Sequence, residues 1–324
     1  MPLSSGRVAA VLVAALVLLT GCSWLSADRP APQAPPERAS LRVGVGNPVE
    51  TAPLRIAVAE GRFAGAGLRV ELVELETPQE GLRRLAAGDL DVTFASDVAI
   101  FKAAATGTAL ELQGEAYTSG DNTMALVTLP GSKFTEPSAR RAPTIAVDMP
   151  DDLGTLTTRS TLATAGLDPA RIQFVTRPFG EMTAALSSGA ADAAWMVEPY
   201  ITMAEKELGA RVLADCSRGA TMNFPMSSYT AGKPFAGANP RTLALFRRIL
   251  GQAQQYATDP GIVRTALTGF AKIDKTTASL LSFGTYPTSL NGVRLQRVAD
   301  LMHTSGLIGD RLDVQSLLPR PDLP

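Results

Sequence analysis

The chain has 324 residues, with 30 Lys and Arg against 31 Asp and Glu, a formal charge of −1, two cysteines and one histidine. That balance excludes the basic face a phosphate backbone requires, so nucleic acid is not an expected partner. The length supports two domains with substantial cores, and nothing in the composition marks a fibrous or disordered chain.

Residues 8–19 form an apolar run behind Arg7 that is short for a bilayer span and ends in Leu19-Thr20-Gly21-Cys22. The ending resembles the lipobox of a bacterial lipoprotein. It implies a signal peptide at 1–21, cleavage before Cys22, a lipid on the Cys22 thiol, and an extracytoplasmic protein anchored to the membrane. Cys216 would then be the one remaining thiol, which leaves no intramolecular disulfide. Residues 22–40, with Pro30, Pro32, Pro35 and Pro36 among small and charged residues, read as an extended tether.

From Leu41 the pattern alternates between strand and helix. Residues 41–46 predict a strand, 47–51 a loop, and Leu54, Ile56, Ala57 and Val58 a helix that ends near Gly61. A second strand follows at 68–75, then a helix at 79–87 closed by Gly88, then a third strand at 91–95. Ser96 and Asp97 can cap the next helix, 98–105. Strands are expected at 110–117 and 124–129, and 131–143 reads as a surface loop.

The order then repeats. A strand at 144–147, a loop at 148–152, a helix at 155–165, a strand at 172–175, a helix at 181–188 closed by Gly189 and a strand at 193–197 lead to Glu198-Pro199-Tyr200, which opens another helix. Leu85-Ala86-Ala87-Gly88-Asp89-Leu90-Asp91 thus recurs 101 residues later as Leu186-Ser187-Ser188-Gly189-Ala190-Ala191-Asp192. A duplication of that period predicts two lobes rather than a solenoid. Residues 226–230 return the chain to the first lobe, Asn239-Pro240 caps a helix with Leu243, Phe246, Ile249, Leu250 and Ala253 on one face, and the rest through Leu301 reads as helical.

The expected fold is α/β and two-lobed, each lobe a doubly wound, mostly parallel sheet flanked by helices. Lobe one takes 41–124 and 229–324, lobe two takes 125–228, and two crossings form a hinge that closes on a ligand.

Four stretches carry a family resemblance: Ala59-Glu60-Gly61-Arg62-Phe63 with Gly67-Leu68-Arg69-Val70-Glu71, residues 85–96, residues 189–200, and Phe224-Pro225-Met226-Ser227-Ser228. Over residues 41–306 the chain resembles the solute-binding proteins of ABC importers for nitrate, sulfonates, taurine and thiamine-pyrimidine precursors. Trp195-Met196-Val197-Glu198-Pro199-Tyr200 is similar to that family's Trp-Glu-Pro-Tyr motif, with two extra residues between Trp and Glu. The resemblance implies a type II periplasmic-binding-protein fold, a monomer that hands a small solute to a membrane permease, and no chemistry on the solute.

Ligands of open α/β sheets sit beyond the carboxyl ends of the strands. That rule selects Asn47, Glu50, Ser96 and Asp97 from lobe one, Met149, Asp152, Thr155, Glu198 and Tyr200 from lobe two, and Tyr117 on the hinge side. Asp97 and Glu198 occupy matching places in the repeat and are expected to face each other across the cleft, whereas Trp195, inside an apolar strand, is expected in the core. Acidic loops repel an anion and favour a cationic or donor-rich solute, such as an amine or an aminopyrimidine of the thiamine-precursor branch. A sulfonate, taurine or nitrate ligand is the alternative within the family.

An enzyme like thiamine-pyrimidine synthase is the rival of another class. It needs histidines and a cofactor-holding lysine, while this chain has His303 alone, far in sequence from every expected cleft loop. No zinc helix, nucleophile elbow, phosphate loop or complete dinucleotide fingerprint occurs, so neither a metal nor an organic cofactor is expected.

Overall fold

Ten strands divide between two five-stranded sheets in the computed structural model, which describes residues 35–320. The expected leader, Cys22 and the expected tether up to residue 34 lie outside the described residues. Residues from Pro36 onward form one compact unit. Among the described residues no helix is long and apolar enough to cross a membrane.

In the first sheet β1 (Ser40–Val45) pairs in parallel with β2 (Arg69–Glu74) and β3 (Val92–Ser96). Strand β10 (Pro225–Gly232) then runs antiparallel between β3 and β4 (Leu110–Thr118), which gives the order β2-β1-β3-β10-β4. The second sheet has the same plan. Strand β6 (Thr144–Val147) lies between β7 (Gln173–Thr176) and β8 (Ala193–Val197), and β5 (Met124–Thr128) runs antiparallel between β8 and β9 (Arg211–Asp215). Each sheet is therefore parallel apart from one reversed strand. That strand follows the other sheet's edge strand in sequence, so the chain crosses at 119–123 and again at 216–224. Strand β10 belongs to the first sheet over its whole length, so the return begins at Pro225, ahead of the expected start of the second part of lobe one at 229.

The repeat in the sequence is a repeat in space. Helix α3 (Pro78–Ala86) precedes β3 as α6 (Phe179–Ser187) precedes β8, and each ends at a glycine of positive φ, Gly88 at 78° and Gly189 at 72°. An L side chain there would be strained, which explains glycine at both places. Helices α1 (Ala52–Ala59), α2 (Arg62–Gly65) and α4 (Asp97–Ala105) complete the first βα half. Helices α5 (Leu153–Thr164) and α7 (Tyr200–Leu208) serve the second, and α8 (Lys233–Ala238) follows β10.

Helix α9 (Pro240–Tyr256) buries Leu243, Phe246, Ile249, Leu250 and Ala253, the face its periodicity indicates, against the core of the first sheet with Leu41, Val43 and Leu54. Its start is built differently from expectation. Asn239 stands at the N-cap, but its amide donates back to Phe235 O at 2.9 Å. The orphan amides of Arg241 and Thr242 instead donate to the Glu37 carboxylate at 3.1 and 2.8 Å, and the Thr242 hydroxyl adds a third bond. Residues 37–40, read as part of the tether, are thus docked on the first lobe.

Burial raises the Glu37 pKa, but these hydrogen bonds outweigh it and hold the group at about 2. Glu37→Ala is expected to lower stability by about 1 kcal/mol, the usual size of a lost cap, seen as a lower urea midpoint at unchanged slope.

Past α9 come α10 (Pro260–Phe270), α11 (Lys275–Leu280) and α12 (Gly292–Thr304). The stretch between α11 and α12, expected as helix, is an extended strap. Thr118 and Thr285 exchange both backbone hydrogen bonds at 2.9 Å, and the Ser282 amide donates to Glu198 at 3.0 Å. Helix was excluded there because the strap's amides are taken by β4 and by the start of α7.

Candidate functional site

A cavity of about 820 Å³ opens at the carboxyl ends of β1, β3, β6 and β8, between the two sheets. Its first-lobe wall begins with Asn47. The Asn47 side-chain oxygen accepts from the amides of Val49 and Glu50 at 2.8 and 3.2 Å, fixing the loop, while its amide donates across the cleft to Glu198 O at 2.9 Å. A second bridge joins the lobes where the Ser96 hydroxyl, which also caps α4, donates to Asp152 at 2.5 Å. Asp152 is at the same time the N-cap of α5, accepting from the Leu153 amide at 2.7 Å.

Five carboxyl groups line this space: Glu50, Asp148 and Asp152, which are wholly or partly buried, and the exposed Glu74, paired with Arg55, and Glu76. Glu50 is 8 % exposed and receives the Ser227 hydroxyl of β10 at 2.5 Å. Burial pushes its pKa up to about 7, against the opposing pull of Ser227 and with a further rise from Asp152. Asp148, partly exposed to the cavity, is pushed up to about 8 by enclosure between the cleft walls and then by Asp152. Burial also raises Asp152, in part against its bond from Ser96.

The opposite side of the chemistry is aromatic. Trp195, Phe179 and Tyr200 line the second-lobe wall, with Phe179 stacked on Tyr200 at 4.8 Å and 11° and tilted against Trp195 at 6.0 Å. Two cations are near. Arg55 is held by both Glu74 oxygens at 2.6 and 2.8 Å, and Lys272 is exposed at the rim. The end of α10 and the loop to α11 bring Phe270, Ala271 and Lys272 to the cavity, and Lys206 of α7 grips α11 through Asp274 at 2.5 Å and Thr277 at 2.9 Å.

Of the residues selected from sequence, the fold brings Asn47, Glu50, Ser96, Met149, Asp152 and Tyr200 to the cavity. The other four stand behind it. Asp97 is fully buried with both carboxyl oxygens outside hydrogen-bond geometry, and desolvation raises its pKa well above the usual range, only partly offset by nearby Ser228. Glu198 is consumed by the Thr202 amide and hydroxyl and the Ser282 amide, which fasten α7 and the strap. Thr155 donates to Asp152 O at 2.8 Å, and the Tyr117 hydroxyl accepts from the Gly284 amide at the hinge.

The facing acidic pair is therefore corrected from Asp97 and Glu198 to Glu50 and Asp152. The former two follow the third strand of each lobe and turn inward at a helix start. The latter two follow the first strand, where the chain spends several residues outside the sheet.

Sequence reading missed Asp148, Phe179, Trp195 and Ser227. Asp148 and Phe179 were within reach of the strand-end rule, which covers the residue directly after β6 and the start of α6. Ser227 was not, because only the reversal of β10 brings its start to the strand-end face, beside Ser96 at the end of β3. Trp195 is buried as expected, at 2 % exposure, yet its side chain also lines the cavity. Among the described residues no cluster of His, Cys, Asp and Glu is arranged to hold a metal.

The architecture has many counterparts. The alkanesulfonate-binding protein SsuA from Xanthomonas axonopodis pv. citri, bound to MOPS, superposes with a TM-score of 0.73 at 19% identity over 88% of this chain and 99% of its own. The periplasmic nitrate-binding protein NrtA from Synechocystis PCC 6803 gives 0.72 at 14% identity over 88% and 86%. The Candida albicans CA3427 gene product, which has the generic periplasmic binding protein fold, gives 0.73 at 13% identity over 88% and 97%. No curated protein matches the sequence. These likenesses fix the fold, and the sequence profile of the NMT1-like family matches residues 34–268. With two mixed sheets, paired crossings and a cleft at the strand ends, the chain belongs to the NMT1-like family and has its periplasmic-binding-protein fold.

Proposed function

We propose that this protein is the solute-binding component of an ABC importer, held outside the cytoplasm by a lipid on Cys22, and that its cargo is a small cationic or donor-rich solute such as an amine or an aminopyrimidine. The observation that carries the cargo class is the trio Glu50, Asp148 and Asp152 around one cavity, with the nearest guanidinium already neutralised by Glu74. In an enclosed cleft like charges repel strongly, so an anion meets the wrong field while a cation relieves three crowded carboxyls. Flat aromatic faces beside them suit a planar or alkylated cation. The bridges Asn47 to Glu198 and Ser96 to Asp152 hold the lobes together around the guest, and the monomer then docks on a permease.

The reading is of capture without chemistry. The single histidine, His303, is exposed on α12 and lies outside the cavity lining, which leaves the cleft without the histidine an enzyme of the thiamine-pyrimidine type requires.

Thermal unfolding with 4-aminopyrimidine, benzylamine, taurine and nitrate tests the cargo class. The amines are expected to raise Tm by several degrees at a hundredfold excess over Kd, where binding adds about 2.7 kcal/mol. Stabilisation by taurine or nitrate alone would reverse the assignment to the anionic branch.

A further inference from the structure

Helix α7 of the second lobe is fastened at both ends to a stretch that packs on the first. Just ahead of its start the Glu198 carboxylate accepts from the Ser282 amide at 3.0 Å. Near its end Lys206 donates to Asp274 at 2.5 Å and to the Thr277 hydroxyl at 2.9 Å. Position 198 meets 282 and position 206 meets 274, so α11 runs antiparallel along α7.

Residues 260–283 belong to the first lobe by packing. Helix α10 lies on α1 and carries α11, and its Arg264 lies over the Phe283 ring at 4.9 Å and donates to Leu281 O at 3.3 Å. The same stretch brings Phe270, Ala271 and Lys272 to the cavity. One wall of the cleft is thus built by the first lobe and held by the second.

Two other bridges between the lobes, Asn47 to Glu198 O and Ser96 to Asp152, involve groups that line the cavity, where a guest can compete for the same atoms. Lys206, Asp274 and Thr277 do not line it, so no guest displaces them. Asp274 also caps α11 by accepting from the Thr277 amide at 3.0 Å, which fixes the carboxylate where Lys206 meets it. The bond from Lys206 is the first cause that holds the Asp274 carboxyl below its usual range.

We infer that α11 is a latch and Lys206 its positioning residue, which holds the wall at 270–272 against the second lobe and biases the cleft toward its shut state with or without a guest. This goes beyond solute capture and is independent of the cargo class. The side chains are partly open to water, Lys206 at 35 % and Asp274 at 58 % exposure, so the pair is weak and is screened by salt. It sets how often the empty cleft opens.

Thiol labelling of the empty cleft tests this. Met149 lines the cavity and Cys216 is fully buried, so in the C22S/M149C chain the reactive thiol stands in the cleft. Its rate of reaction with an uncharged maleimide reports the openings. Adding K206M is expected to speed labelling about twofold to fivefold, the size of one exposed ion pair, and adding K206R, which keeps a cation for Asp274, to stay within about 1.5-fold. No acceleration in K206M, or the same acceleration in K206R, overturns the latch.

Salt gives a reading that needs no change at Lys206. Between about 0.05 M and about 1 M sodium chloride the C22S/M149C chain is expected to approach the labelling rate of K206M, while K206M itself holds constant. An equal rise in both overturns the latch, and a rate that salt leaves alone does so even where K206M is poorly folded. Neither result bears on solute binding, which the thermal shifts above decide.

Discussion

Replacing Gly284 by alanine is expected to cost about 3 kcal/mol of stability, the upper range for overpacking, and to loosen the hinge side of the cleft. A Cβ at Gly284 would fall within 2.0 Å of Thr118 O and 2.9 Å of Gly120 N, both backbone atoms that cannot swing aside. Gly120 has the reciprocal problem, with a Cβ only 2.6 Å from Phe283 O. The strap and the first crossing therefore lie backbone on backbone.

Lifting the strap breaks the paired Thr118–Thr285 bonds and withdraws the Ser282 amide from Glu198, whose backbone oxygen is the anchor for Asn47 across the cleft. Urea unfolding and small-angle scattering check both parts of the expectation. Gly237→Ala, where a Cβ meets nothing within 4 Å, is the control and should change stability by less than about 0.5 kcal/mol. Equal behaviour of the two variants would show that the strap does not brace the hinge.

The second large effect is on pH. Glu50 and Asp148, raised to about 7 and about 8, keep protons in the folded state that the unfolded chain has already released above the ordinary carboxylate range. Stability of the unliganded protein is therefore fully present below that range and falls as pH climbs through the folded values. The fall for Glu50 by itself is roughly 3 kcal/mol at 1.36 kcal/mol per unit.

Asp97, Asp152 and Glu198 are shifted in the same direction, each by burial first. Glu37 has the opposite sign, but its contribution is lost only on the acid side, as pH drops toward about 2. Urea midpoints measured from pH 5 to pH 8.5 are expected to fall steadily, and the double variant E50Q/D148N to flatten most of the slope. A cation whose own charge is constant over this range, such as choline, should bind more tightly as pH rises, because at low pH it must displace protons. A flat stability profile, or tighter binding in acid, would contradict the buried carboxyl trio.

Much of the fold was readable because local rules and the global pattern agree. The glycines at 88 and 189, the alternation at 69–74 and the apolar face of α9 each follow from backbone freedom or periodicity, and the repeat placed them in two lobes. The errors fall where a long-range partner outcompeted a local one. Asn239 is a good N-cap residue, but Glu37 reaches the same amides from 204 and 205 positions away. The strap at 281–286 carries no strand signature, and it is held extended by β4 and Glu198.

At the site, the rule that ligands gather at strand ends found both loops that carry Glu50 and Asp152, since that rule depends only on strand order. It could not rank the acidic residues inside those loops. Whether a carboxyl faces a cavity or a helix end depends on which amides and hydroxyls fold against it, and Glu198, Glu50 and Asp152 each take such a partner from another element.

The sequence by itself determined the duplicated α/β lobes and the acidity of the cleft loops, because periodicity, glycine punctuation and charge are local properties of a chain. Only the tertiary structure decided which acids meet the guest, and that a tryptophan of the core also lines the cavity, because burial and hydrogen-bond competition are settled between residues far apart in sequence.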